Sequence, residues 1–101
     1  MSGNEMDAIV ARAQEKIGLL EDALDGLGRL RARASDEKDT VTAEVDGNGT
    51  LTGLWMDDSI ATTDSRALGP LIVATVSEAA RLATEQRMEL MNRLQDGFES
   101  P

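Results

Sequence analysis

Cysteine, histidine and tyrosine are absent from this 101-residue chain, and phenylalanine and tryptophan occur once each. Without cysteine or histidine there is no disulfide, no thiolate or imidazole metal ligand, and no histidine-activated nucleophile. Only hard cations on carboxylates remain as possible metals. Asp57, Asp58 and Asp64 have no neighbouring base or oxyanion donor, and we interpret them as turn and capping residues. We therefore expect no metal, no cofactor and no enzymatic activity.

Long apolar runs are also missing, since no segment approaches the roughly 20 residues that cross a bilayer. Residues 1–7 carry neither the cationic lead nor the apolar core of a secretory signal, so we expect a cytoplasmic protein. The length predicts one domain, 1–101. Basic residues are scarce, because 10 of them face 19 acidic ones and give a formal net charge of −9. That charge opposes nucleic-acid binding unless the basic residues gather in one place.

Two long segments have the spacing of amphipathic helices. The first covers about residues 5–27, and its apolar residues recur at alternating steps of three and four, as in a coiled-coil seam. These residues are Val10, Ala13, Ile17, Leu20, Leu24 and Leu27. The second covers about 66–95 and has an apolar stripe that includes Leu68, Ile72 and Ala79. Pro70 must lie in or near its first turn, because proline deletes a helical hydrogen bond.

Three short segments between the helices alternate apolar and polar residues with the period of a strand. They cover about residues 30–34, 40–46 and 50–56. The last two flank Gly47-Asn48-Gly49, whose residues readily take the positive φ of a tight hairpin. Residues 57–64 are expected to form a loop. The predicted fold class is α+β, with the order α-β-β-β-α, a small antiparallel sheet and two long helices.

A first helix of about 23 residues would span about 35 Å, which is the full width of a compact domain of this size. One chain can therefore cover only part of the apolar surface, and we expect a homodimer. The predicted dimer interface contains the coiled-coil seam and one aromatic residue: Val10, Ala13, Ile17, Leu20, Leu24 and Trp55. If Leu54 and Met56 face the helices, Trp55 faces the other side of the sheet. Stacking on a base or anchoring a protein partner are its alternative roles.

Arg29, Arg31 and Arg33 alternate with apolar residues and form the main candidate binding site. On a strand, all three side chains project from one face, and a dimer doubles the patch. Such a patch predicts salt-sensitive, sequence-independent binding of double-stranded DNA. The alternative is a solvated sheet edge whose charges discourage strand pairing. Arg81, Arg87 and Arg93 alternate with glutamates, which predicts a salt-bridged, solvated helix surface.

The order of these pieces resembles the YbaB/EbfC nucleoid-associated family. The residues that carry the resemblance are the hairpin 40–57, Arg66-Ala67-Leu68 and the alanine-rich segment 73–80, behind a long heptad helix. Membership implies an α-β-β-β-α protomer, a dimer with projecting helices, and sequence-tolerant DNA binding at the bacterial nucleoid. The chain departs from the family's DNA-binding pattern in being so acidic.

Actinobacterial EspL-like proteins, which are associated with type VII (ESX) secretion, have a segment similar to Leu51-Thr52-Gly53-Leu54. That resemblance implies a cytosolic adaptor or chaperone-like protein that acts through contacts with another protein. We therefore keep two hypotheses, a DNA-binding homodimer first and a protein adaptor second. Salt distinguishes them, because DNA binding weakens steeply with added salt and apolar protein contacts tolerate it.

Overall fold

A computed structural model describes residues 3–99 of the chain. The elements are α1 (Gly3–Arg29), β1 (Arg31–Ser35), β2 (Val41–Asp46), β3 (Leu51–Met56), a 3-10 helix (Asp58–Thr62) and α2 (Ser65–Glu99). The strands form one antiparallel sheet in the order β1-β2-β3. The predicted α-β-β-β-α order, the antiparallel sheet and the two long helices are confirmed. Dimerisation stays a prediction.

The segment before α2 is more ordered than the expected loop. Asp57 Oδ1 accepts a hydrogen bond from the Asp58 backbone N at 2.8 Å and so begins the 3-10 helix. Asp64 Oδ1 accepts one from the Arg66 N at 3.0 Å, which makes Asp64 the N-cap of α2. Pro70 lies in the second turn of α2, where its ring removes the hydrogen bond to the Arg66 carbonyl.

The core lies between the sheet and the N-terminal half of α2. Val41, Ala43 and Val45 alternate along β2 with no exposed surface, and Ala79 on α2 is equally buried. Alanine at the contact lets the helix backbone approach the sheet closely, so small residues and tight packing go together here.

The β2–β3 hairpin has a tight turn and one irregularity. Gly49 has φ +83°, and the Asp46 carboxylate accepts hydrogen bonds from the backbone N of Asn48 at 2.9 Å and of Thr50 at 3.0 Å. The pairing then shifts by one residue beside Glu44, which places an extra residue, Thr52, on β3. Such a bulge twists the strand and disfavours pairing along that edge.

α1 and the C-terminal half of α2 pack antiparallel and form an arm that projects from the sheet. Sheet and arm together form a rod 76 Å long and 17 Å wide. Lys16 Nζ donates to the Gly97 O at 3.1 Å and the Phe98 O at 2.6 Å, which caps the last turn of α2. Residues 3–15 of α1 therefore extend past α2 by about 20 Å, at 1.5 Å per residue. Every residue of that segment is exposed.

Candidate nucleic-acid interface

The three predicted DNA-binding arginines do not share one strand face. Arg29 is the last residue of α1, because the helix continues two residues beyond the predicted end. Its guanidinium forms an ion pair with Asp25 one turn earlier, at 2.7 Å. The prediction that Arg29 projects from the strand was therefore wrong, whereas Arg31 and Arg33 do lie on the outward face of β1. Their role in DNA binding stays a prediction.

Arg33 is held by its neighbours on the sheet. Its Nε donates to Glu44 Oε2 at 2.8 Å, and its guanidinium carbon lies 4.4 Å from the centre of the Trp55 ring. Glu44 also accepts from the Thr52 hydroxyl at 2.9 Å. The hydrogen bond from Arg33, followed by that from Thr52, lowers the pKa of Glu44. The charge of Arg33 is thus largely balanced within the chain.

Trp55 lies on the outer face of the sheet, opposite in direction to Leu54, as the alternation along β3 predicts. The indole crosses over Gly53 so closely that a Cβ at that position would lie 2.8 Å from Trp55 Cζ3. Gly53 is therefore required for the ring to lie on the sheet. The side chain is 46% exposed, and its place in a dimer interface stays a prediction.

Arg31 is the most available cation of the predicted set. Its Nη1 donates to the Leu30 O at 2.7 Å and more weakly to the Gly28 O at 3.4 Å. Within residues 3–99, no carboxylate oxygen lies within ion-pair distance of its guanidinium. A guanidinium that is oriented by carbonyls and forms no ion pair within the described residues is suited to contact a phosphate.

Sequence reasoning missed Arg93 as a neighbour of this site. Arg93 on α2 and Arg29 on α1 border the same open hollow, together with Leu30 and Glu89. The two helices run antiparallel here, and a separation of 64 positions leaves no local sequence signal for this meeting. We call Arg29, Arg31 and Arg93 the shoulder: Arg29 and Arg93 line the hollow, and Arg31 begins β1 directly after Leu30.

Two arginines of α2 are engaged elsewhere. Arg81 is bridged to Glu78 and Glu85, each at 2.6 Å, and these hydrogen bonds and charges raise the pKa of Arg81. The salt-bridged surface predicted for this stretch is confirmed at Arg81. Arg87 Nη1 donates to the Gly47 O at 3.3 Å and so ties α2 to the hairpin turn.

An open cleft of about 520 Å³ lies between the β1–β2 turn and α2, and two of its acidic groups, Asp36 and Glu78, are engaged within the chain. Asp36 accepts hydrogen bonds from the backbone N of Thr40 at 2.6 Å and of Val41 at 2.8 Å, and from the Thr40 hydroxyl. That hydroxyl contributes most to lowering the pKa of Asp36. The Glu78 carboxylate is bound by Arg81. Within residues 3–99 no group of three or more acidic side chains is placed to hold a metal ion.

The predicted seam of α1 is exposed in the single chain. The α1 row that packs on α2 contains Lys16, Leu19 and Ala23 instead. Seam exposure is 51% for Val10, 54% for Ile17, 43% for Leu20 and 60% for Leu24, and Ala13 is also exposed. The seam is thus available to another molecule, and its identification as a dimer interface stays a prediction.

Neither helix of the described part, residues 3–99, has a stretch long and apolar enough to cross a bilayer.

A solved structure of another protein has the same architecture. A crystal structure of an uncharacterized protein, HP0035 from Helicobacter pylori, superimposes with a TM-score of 0.61. The match covers 94% of this chain and 98% of that one at 17% sequence identity, so it shows the fold alone.

Two relatives have clear sequence similarity. They are the ESX-1 secretion-associated protein EspL from two strains of Mycobacterium tuberculosis, each 38% identical over 64 residues. The match covers 59% of this chain and 56% of EspL, so the chain spans about half the length of the curated relatives it matches.

The family model of the YbaB/EbfC DNA-binding family matches residues 2–98, which is nearly the whole chain. Its extent agrees with the fold, since the matched range includes α1, the three strands and all of α2 except its last residue, Glu99. The chain therefore belongs to the YbaB/EbfC DNA-binding family.

Proposed function

We propose that the protein is a nucleoid-associated homodimer that binds double-stranded DNA with little sequence preference. The observation that carries the proposal is the shoulder, where Arg29 and Arg93 line one hollow with Leu30, and Arg31 follows Leu30 at the start of β1. In a chain with a net charge of −9, Arg31 and Arg93, which form no ion pair within residues 3–99, supply the local positive charge that phosphate binding needs.

The chemistry of the shoulder favours phosphates over base edges. Exposed guanidiniums reach the DNA backbone, whereas base readout requires an element that enters a groove. The tip of α1 is less suited, since Glu5, Asp7 and Glu15 outnumber Arg12 there. DNA is therefore expected to contact the junction of arm and sheet and to avoid the tip.

A second copy would cover apolar surface that each chain leaves exposed at the sheet. Leu51 and Met56 pair with Val45 and Val41, so they lie on the face of the sheet on which α2 packs, but α2 covers β1 and β2 rather than β3. Leu51 is 47% and Met56 is 45% exposed. Association would also double the shoulder, and the salt dependence of DNA binding rises with the number of phosphates neutralised.

The test is a gel-shift series across salt concentration with Arg31→Ala/Arg93→Ala and the matched control Arg81→Ala, which removes an arginine already bridged by two glutamates. Wild-type affinity should fall steeply with salt. The shoulder variant should bind weakly with a shallower slope, by about one unit for each lost phosphate contact. The control should resemble the wild type. Equal binding by all three proteins would exclude the shoulder, and salt-insensitive binding would exclude the proposed mechanism.

A second function has support from the similarity to EspL, whose name places it in ESX-1 secretion. In that case the protein is an adaptor that contacts another protein through apolar surfaces. Capture of one defined protein at high salt, with no DNA retention at low salt, would favour the adaptor.

A further inference from the structure

The seam of α1 has an apolar center and an acidic border. At 100° per residue the seam lies about 110° around the helix from the row that packs on α2. Met6 continues the seam by one step toward the tip and is 54% exposed. On the side away from α2, the bordering positions Asp7, Gln14 and Glu21 follow at intervals of seven residues, and all three are exposed.

No residue of the described range 3–99 covers the outer part of the seam. Residues 3–15 of α1 extend past α2, and an isolated helix of that length is marginal in water. Its apolar residues Met6, Ile9 and Val10 are each at least half exposed. A ligand that runs along the seam would bury them and stabilise the projecting turns.

A second copy of this chain is poorly matched to that seam. An antiparallel pair of α1 helices centred on Gln14 would set Asp7 against Glu21, which is repulsive. A parallel pair would need Lys16 to meet Glu21, but Lys16 caps the end of α2 in its own chain. A second copy has a better match at the sheet. There Leu51 and Met56 are exposed on the α2-facing side of β3, and no charged residue lies between them on that face.

We infer that the seam of α1 binds an amphipathic helix of another protein, whose apolar stripe is bordered by lysine and arginine. The apolar stripe would cover Val10, Ile17 and Leu24, and its basic border would face Asp7 and Glu21. This inference rests on the proposed homodimer only in assigning the second copy to the sheet. It differs from the sequence-based prediction that the same seam joins the two copies.

The test uses the full chain and three labelled synthetic peptides of equal length. The first has a heptad leucine stripe bordered by lysine, the second has the same stripe bordered by glutamate, and the third is a scrambled version of the first. Fluorescence anisotropy gives their affinities. The lysine-bordered peptide should bind at least about tenfold more tightly than the other two, a difference of about 1.4 kcal/mol. Equal binding of the scrambled peptide would show attraction by net charge alone and overturn the inference.

Two double variants locate the site. Ile17→Gln/Leu24→Gln changes the seam, Leu51→Gln/Met56→Gln changes the sheet surface, and Met88→Gln is a control at an exposed α2 methionine. The seam variant should lose about tenfold in peptide affinity and remain a dimer by sedimentation. The sheet variant should dissociate and keep peptide binding. If the seam variant dissociates instead, the seam is the dimer interface and the inference is wrong.

DNA retention is measured on the same preparations. The seam variant should retain DNA like the wild type, because its arginines are unchanged. A wild-type protein that fails to retain DNA but binds the lysine-bordered peptide would refute the proposed function alone. A wild-type protein that retains DNA but does not bind the lysine-bordered peptide would refute this inference alone.

Discussion

The two ends of the rod are built in opposite ways. At the sheet, the residues between β2 and α2 are small and fully buried, as at Ala43 and Ala79. Along α1, large apolar residues such as Ile17 and Leu24 are more than half exposed, and Ala23 is the helix's single buried residue among those described. The sheet end thus contains a fully buried core, whereas α1 leaves large apolar residues exposed along the arm.

Different driving forces act at the two ends. Burial of apolar surface stabilises the sheet end within one chain, at roughly 25 cal/mol for each Å² removed from water. The projecting turns of α1 gain little of this until a partner arrives. Contacts between α2 and the sheet therefore determine the fold, whereas the seam of α1 contributes little to its stability in the single chain.

The largest expected effect comes from enlarging an alanine at each end. Ala79→Leu forces extra methylenes between α2 and the sheet and should destabilise the protein by about 1–3 kcal/mol. Ala13→Leu adds the same atoms to an exposed position of the seam and should change the stability by less than about 0.5 kcal/mol. Urea unfolding at one fixed protein concentration measures both. Similar losses in the two variants would mean that the arm is as closely packed as the sheet.

Much of this contrast was predictable from local patterns. Alternation along residues 40–46 predicted β2 with its buried face, and the spacing from Val10 to Leu24 predicted the seam. Helix ends were harder, because α1 was predicted to end at about residue 27 and continues to Arg29. Gly26 lies inside this helix, where Leu90 packs against it, and a Cβ there would lie 3.2 Å from Leu90 Cδ2.

The site was less predictable than the fold. Alternation correctly placed Arg31 and Arg33 on one face. It gave no information on which carboxylates would bind the arginines, because Glu44 reaches Arg33 across strands. Arg93 joins Arg29 through helix packing between distant segments. Charge balance in a site depends on such long-range contacts, and a pattern within one element cannot predict them.

A smaller effect is expected at two glycines of α1, one in an open position and one in a packed position. Gly18 has open space where a Cβ would be, whereas Gly26 is in contact with Leu90. Gly18→Ala should stabilise the helix by about 0.5–1 kcal/mol, since alanine has the higher helix propensity. Gly26→Ala should gain less or lose stability, because Leu90 must shift. Thermal unfolding followed by circular dichroism distinguishes the two. A larger gain in stability from Gly26→Ala than from Gly18→Ala would contradict the packing of Leu90 against Gly26.

The smallest expected effect is a pH response confined to the sheet end. The pKa of Glu44 is lowered from its ordinary value of 4.5, chiefly by the hydrogen bond from Arg33. A carboxyl with a lowered folded-state pKa stabilises the fold above its unfolded-state value, and that contribution disappears as the pH falls through the folded-state pKa. Below pH 4.5, therefore, Arg33 should loosen from Glu44 and from the Trp55 ring.

Trp55 reports this change directly, because it is the only tryptophan in the chain. Its emission should change at acid pH while the helical signal of the arm stays constant. Glu44→Gln should show the acid-like emission already at neutral pH, since a neutral amide cannot form the ion pair. Sedimentation at both pH values is needed, because Trp55 is also predicted to lie in the dimer interface. If Glu44→Gln keeps the wild-type pH response, the change belongs to another carboxyl, and the polar surface around Trp55 is not held by Glu44.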